Sequence, residues 1–288
     1  MRESFVNHAG FRYLHWSLIL GVASIVAYVW HDPVPTANGG TWLGYTLGTI
    51  GALLIFWLLW LGVRKRSYTS RVGTLKGWVS AHVYFGLMLL VVATLHTGFQ
   101  FGWNIHTLAY ALMVIVIASG FWGMLLYMKQ PRLMTINQEQ QTRDSLFQTL
   151  RDLDSECLQM ADGISSDLHR QLSDTLKPMP APGMRTRLSN RYWSATVAAD
   201  TDRKASSEYY EIESTVAEQL AASRDAGEVE QLRALLNNLS QRRKMSQQLG
   251  QDLRMQALME FWLYLHVPIS IALLAALVSH IFAVFFYW

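Results

Sequence analysis

Residues 261–288 read Phe261-Trp-Leu-Tyr-Leu-His266-Val-Pro-Ile-Ser-Ile-Ala-Leu-Leu-Ala-Ala-Leu-Val-Ser-His280-Ile-Phe-Ala-Val-Phe-Phe-Tyr-Trp288. The stretch carries no Asp, Glu, Lys or Arg and exceeds the roughly 20 apolar residues that a bilayer-spanning helix needs. Its two histidines are four helical turns apart, so both imidazoles leave one face, about 21 Å from each other along the axis. An imidazole inside a membrane is costly and marks a functional site by default. One helix supplies half of any site between helices, so the partners must come from elsewhere in the chain.

The chain has 288 residues, 51% of them hydrophobic, with 11 tryptophans and a net charge of +3. That composition describes a membrane protein with a polar portion rather than a globular enzyme. A single cysteine, Cys157, excludes a disulfide framework, a Cys-ligated iron–sulfur cluster and a CxxCH haem attachment within these residues. Cys157 itself reads as a small apolar residue buried on a helix seam. No glycine-rich nucleotide fingerprint occurs, and no nucleic-acid partner is expected.

Five apolar spans can be marked, at about residues 13–30, 42–63, 77–99, 103–127 and 258–288. Arg2 and Arg12 precede the first span, Arg64, Lys65, Arg66, Arg71 and Lys76 separate the second from the third, and Lys129 and Arg132 follow the fourth. The connections 31–41 and 100–102 hold no Lys or Arg. The positive-inside rule therefore expects a cytoplasmic N-terminus, a cytoplasmic 129–257 segment and an outer C-terminus, in a bacterial inner membrane. Trp30, Trp42, Trp103 and Trp288 fall at the outer boundary, Trp78 and Trp262 at the inner one, as interfacial anchors. Gly44, Gly48 and Gly51 read as a close-packing face.

The third span reads Gly77-Trp-Val-Ser-Ala-His82-Val-Tyr-Phe-Gly86-Leu-Met-Leu-Leu-Val-Val-Ala-Thr-Leu-His96. Its histidines repeat the spacing of the last span, and both spans run from inside to outside. His82 and His266 then share an inner level, and His96 and His280 an outer one. Each pair suits the iron of a non-covalent haem b, which neutral imidazoles ligate well. Gly86, Ala93 and Ala276 leave room for a flat ring. The second nitrogen of each ligand needs a partner, with Ser80, Thr94, Ser270, Ser279 or carbonyls of the preceding turn as candidates. Pro268 should kink the helix just after His266. A four-histidine metal-ion pathway is the competing arrangement, but it would gather the histidines at one level.

At these residues the chain resembles the ferric-reductase-like transmembrane family, which includes the membrane domains of ferric reductases and NADPH oxidases. The resemblance covers the spans, chiefly 77–127 and 258–288. It implies two b-type haems, the inner held by His82 and His266 and the outer by His96 and His280. It also implies electron transfer from a cytoplasmic donor to an acceptor outside. The chain departs from that family in stopping without a dehydrogenase domain and in carrying a long segment between spans four and five.

The expected fold is therefore an all-α membrane protein with five transmembrane helices in a dihaem bundle and a cytoplasmic helical-hairpin insertion between helices 4 and 5. Its divisions are 1–128, 129–257 and 258–288. Leu146, Leu150, Leu153, Cys157, Met160, Ile164, Leu168 and Leu172 form a coiled-coil-like seam over one helix. Prolines within 177–183 break it, and a second helical pattern starts near Ser206, pauses at Gly227 and feeds into span five. Arg64, Arg66, Arg71 and Lys76 are candidate contacts for inner-haem propionates. His106 and Asn104 are candidates for an outer propionate or acceptor site. His15 and His31 read as interfacial, His8 and His169 as solvated. The expected function is transmembrane electron transfer, as one subunit of a larger redox complex rather than a self-contained enzyme. The donor is a soluble flavin or iron–sulfur subunit, or membrane quinol through a quinone site. An outer-face acceptor protein and homo-oligomerisation through the stalk complete the expected partners besides membrane lipid. The alternative is a membrane-anchored scaffold or haem-dependent sensor whose stalk is the output.

Overall fold

A computed structural model describes residues 6–34, 36–66, 73–129, 136–176, 184, 188 and 203–286. Among these residues all regular elements are helices: α1 Arg12–Trp30, α2 Trp42–Arg66, α3 Leu75–Thr97, α4 Ile105–Lys129, α5 Ile136–Ile164, α6 Ser166–Thr175, α7 Arg203–Ala222 and α8 Ala226–Phe286. Five are long and apolar enough to cross a membrane, namely α1 to α4 and α8, as expected of a multi-pass membrane protein. The chain divides into two compact units, one of residues 1–125 and 262–288, the other of residues 126–261.

The apolar unit is capped at its turns by short polar side chains. Thr41 Oγ1 accepts the Gly44 N–H at the start of α2, and Thr74 Oγ1 accepts the Gly77 N–H at the start of α3. Asn104 Oδ1 accepts the Thr107 N–H at the start of α4. Such caps satisfy amide groups that a helix leaves without internal partners. α3 stops at Gly98, whose left-handed φ of 58° suits glycine, and whose N–H reaches back to the Leu95 carbonyl.

α1 is polar inward and apolar outward. Ser17, Gly21 and Ser24 are buried, while Trp16, Ile19, Val22 and Val26 are exposed. Both serine hydroxyls are satisfied within the helix, by the Leu14 and Leu20 carbonyls. A Cβ on Gly21 would overlap the Met88 sulfur of α3, so small residues set the spacing here, as is usual between helices in lipid. Leu43, Leu47 and Val92 join this contact to α2. A second core of Ile55, Leu89, Met113, Leu273 and Leu277 ties α2, α3, α4 and the last part of α8 together.

In the other unit, Cys157, Ala161, Leu168, Leu172, Ile212, Val216, Leu232, Leu235 and Leu239 form one buried cluster from α5, α6, α7 and α8. Leu150, Leu249 and Leu253 form a smaller one. Arg242, only 9% exposed, falls between the two along α8 and pairs with Asp154 of α5. Arg243 pairs with Glu213 of α7 and lies 5.5 Å over the Tyr210 ring. Burial pushes the Glu213 carboxyl above its ordinary pKa, with the Arg243 guanidinium opposing.

The single helix expected through 136–176 is in fact two. Gly163 precedes Ser165, whose extended backbone ends α5 and whose Oγ accepts the Asp167 N–H to start α6. Intrinsic preference for an N-cap wins over the apolar period at this point. The break lets Leu168, Leu172 and Leu176 return onto Cys157 and Ala161. His169, expected to be solvated, faces the Leu158 carbonyl with Nδ1 at 3.0 Å and so fastens α6 to α5. The side chain of Leu146 and the prolines of 177–183 lie outside the described residues.

Two measurements check this packing. Leu235→Ala removes a fully buried side chain and should cost about 2–5 kcal/mol, read as a lower thermal midpoint of the purified chain. Burial, and then the Asp154 carboxylate, push the Cys157 thiol from 9.0 up to about 12. The folded thiol should therefore resist maleimide at pH 8 and react once the chain is denatured. Its contribution to stability should be full below pH 9 and be lost as pH rises from there towards about 12, because only the unfolded thiol ionises in that range.

Candidate functional site: two histidine pairs between α3 and α8

His82 and His96 stand on α3, and His266 and His280 on α8. α2 and α4, which carry none of the four, supply the partner of every Nδ1 atom. His82 Nδ1 is 3.1 Å from the Leu58 carbonyl, and His96 Nδ1 is 2.8 Å from the Gly44 carbonyl, both on α2. A carbonyl only accepts, so each of these rings carries its proton on Nδ1 and presents Nε2 as a free lone pair. His266 Nδ1 is 2.7 Å from Ser119 Oγ of α4. The Ser119 hydroxyl donates to the Val116 carbonyl, so its oxygen receives the His266 Nδ1–H, with the same outcome. His280 Nδ1 meets His106 Nδ1, also on α4.

Glycines make room for these rings. A Cβ on Gly48 would lie 2.7 Å from His96 Cε1 and 2.9 Å from its Nδ1. A Cβ on Gly39, in the connection before α2, would lie 3.3 Å from the same Cε1. The Gly44–Gly48 face is thus a seat and a hydrogen-bond acceptor for His96, beyond the helix packing expected of it. A Cβ on Gly120 would meet His266 Cε1 at an ordinary 3.5 Å, whereas a Cβ on Gly123 would overlap the Trp262 ring. Trp262, expected only as an anchor, donates from Nε1 to the Ser119 carbonyl at 2.7 Å and packs 5.2 Å from His266. Pro268 lies inside α8, and Ser270, two residues on, donates from Oγ to the His266 carbonyl.

The His96 and His280 rings are 6.1 Å apart at their centres and nearly perpendicular, at 86°. Metal–imidazole bonds of about 2.0–2.1 Å put two ligand rings on one metal atom roughly 6 Å apart, a separation of the same size. Both rings line a cavity of about 1140 Å³. Its apolar walls include Ile55, Leu89, Ala93, Met113, Leu273 and Leu277, and its polar lining includes Asn38, Gln100 and Asn104. Lys and Arg are not among the described lining residues. Beside the other pair, a Cβ on Gly86 would meet nothing within 4 Å. No trio of His, Cys, Asp or Glu forms a bare-metal cage among the described residues.

The chain matches no protein-family model, no curated protein and no solved structure. The residues themselves therefore carry the functional reading. The His96–His280 pair, with Nδ1 engaged on each ring and an apolar-walled cavity beside it, is an arrangement that could hold a haem iron.

Several expected partners serve other purposes. Thr94 Oγ1 bonds the Leu90 carbonyl and Tyr110, Ser279 bonds the Ala275 carbonyl, and buried Ser80 makes no hydrogen bond to any of the four histidines. Asn104 both caps α4 and lines the cavity. Arg64 donates to the Gly73 carbonyl, joining the end of α2 to the approach of α3. Lys76 sits in the first turn of α3, fewer than two turns before His82. The Arg66 side chain and all of Arg71 lie outside the described residues. His15 bonds the Phe11 carbonyl and His31 packs edge-on to Trp42. His8, expected in solvent, is half-buried, 6.3 Å from Tyr13 and against Gly77.

Gly48→Ala tests the seat of His96. The added methyl must displace the ring, at a cost of about 1–3 kcal/mol, and the thermal midpoint of the variant should fall accordingly. Gly51→Ala, whose Cβ would meet Leu89 at an ordinary 3.7 Å, should leave it nearly unchanged.

Proposed function

We propose that this protein carries electrons across a membrane through two non-covalent b-type haems, held by His82 with His266 and by His96 with His280. The observation that carries the reading is the shared design of the two pairs. Each has one histidine on α3 and one on α8 with the same spacing, and the Nδ1 atoms are engaged by α2 or α4, which leaves Nε2 of each ring for a ligand. In this reading the dihaem bundle is the ferric-reductase-like arrangement, with the segment between α4 and α8 as a helical hairpin inserted into it.

Bound haem supplies one-electron chemistry at iron. The chain's own residues do the rest. α2 carbonyls and Ser119 fix the tautomers, so that neutral imidazoles present lone pairs without a proton to lose. Gly48 and Gly86 admit ring-sized groups close to the helix backbones. Ile55, Leu89, Met113, Leu273 and Leu277 exclude water around the His96–His280 pair. Positive-inside flanks orient the N-terminus and the inserted unit to the cytoplasm of a bacterial inner membrane and the C-terminus outward. A soluble flavin or iron–sulfur subunit, or membrane quinol, is the donor, and an acceptor waits outside.

An optical spectrum and haem assay of the purified protein test this. The expected result is low-spin b-type bands with two haems per chain. His96→Ala should lower that to one and leave the His82–His266 haem in place. A haem-free protein, or one haem in the wild type, would sink the proposal.

A further inference from the structure

We infer that His106 is the positioning residue of the α8 ligand in the His96–His280 pair, and that it makes His280 the more electron-rich of the two α8 ligands. The inference rests on the haem reading above and extends it to a residue that binds no iron.

The two α8 histidines are held alike in one respect and differ in another. Both turn Nδ1 to a side chain of α4, Ser119 for His266 and His106 for His280. Ser119 Oγ is a hydroxyl already donating to the Val116 carbonyl. It receives the His266 proton with a weakly basic oxygen. At His280 the acceptor is an imidazole nitrogen, a much stronger base. Two imidazoles meeting Nδ1 to Nδ1 share one proton between them. For His280 to turn a free Nε2 towards His96, that proton belongs to His280, and His106 accepts it. The rings are 4.5 Å apart at their centres and at 88° to each other, an edge-on arrangement that also fixes the plane of His280. The ring that packs edge-on with His96, at 6.1 Å between centres, is that of His280.

A stronger acceptor behind a ligand raises the ligand's basicity. A more basic ligand favours the oxidised, more positive iron and lowers its potential. His106 therefore separates the two haem sites electronically by a residue on a helix that ligates neither.

The test uses the full chain with its haem, comparing wild type, His106→Leu, His106→Asn and His280→Ala. Haem per chain, low-spin EPR g values and a redox titration of the b-type bands are measured. His106→Leu should keep two haems, shift one set of g values and raise one midpoint potential while the other stays. His106→Asn places a side-chain carbonyl near the former Nδ1 and should bring both back towards wild type. His280→Ala should lose one haem. Unchanged g values and potentials in His106→Leu, with two haems present, would overturn the inference and leave the electron-transfer reading standing. Loss of a haem in both His106 variants with its retention in His280→Ala would also overturn it, by making His106 the ligand. A haem-free wild type would remove the electron-transfer reading and this inference together.

Discussion

An imidazole in a lipid-facing bundle has two nitrogens to satisfy, and the rest of this protein's apolar unit depends on how that is done. In the hydrocarbon core of a bilayer water is not there to do it, and an unpaired buried donor costs about 1–3 kcal/mol. The chain turns one nitrogen of each of the four paired histidines to a neighbouring helix. For His82 and His96 the acceptors are the carbonyls of Leu58 and Gly44, 3.1 and 2.8 Å away. A carbonyl of an α-helix already accepts from the amide four residues on, and its second lone pair serves the imidazole. α2 must therefore lie close to α3, and Gly48 is the residue that permits it.

The same requirement explains the roles of the helices without ligands. α2 and α4 flank the gap between α3 and α8 and hold its rings from behind. Ser119 does so while bonded to the Val116 carbonyl, and its own carbonyl accepts from Trp262. One short stretch of α4 thus fixes both His266 and the tryptophan packed on it. Glycine at 123 is what lets the Trp262 ring approach. α1 stands outside this network and contributes small inward residues and a broad apolar face.

The unit of residues 126–261 is built on a different balance. It has leucine-rich cores that any soluble helical assembly would show, separated by ion pairs of Asp154 with Arg242 and Glu213 with Arg243. Breaking such a partly buried pair leaves a charge unsatisfied, which is destabilising. Its one thiol is held neutral in that core, consistent with a packing role.

The residue pattern by itself determined a large part of this. Apolar runs near 20 residues cannot be satisfied in water, so the five membrane-length helices were legible from composition alone. Histidine spacing is preserved by helical geometry, so the matched pairs on α3 and α8 were legible too. Three things were not. The break at Ser165 was hidden because the apolar period continues through it, and a local cap decided against that period. The partners of the Nδ1 atoms were hidden because they are backbone carbonyls and side chains on other helices. The carbonyls of Leu58 and Gly44 have no sequence signature, and Ser119 and His106 are more than 140 residues from the rings they hold. The dual use of Gly44 and Gly48 was hidden for the same reason: a small-residue stripe says that something comes close, and only the packed structure decides that it is an imidazole. Local periodicity is a property of one helix, whereas hydrogen-bond partners across a bundle depend on how several helices are placed at once.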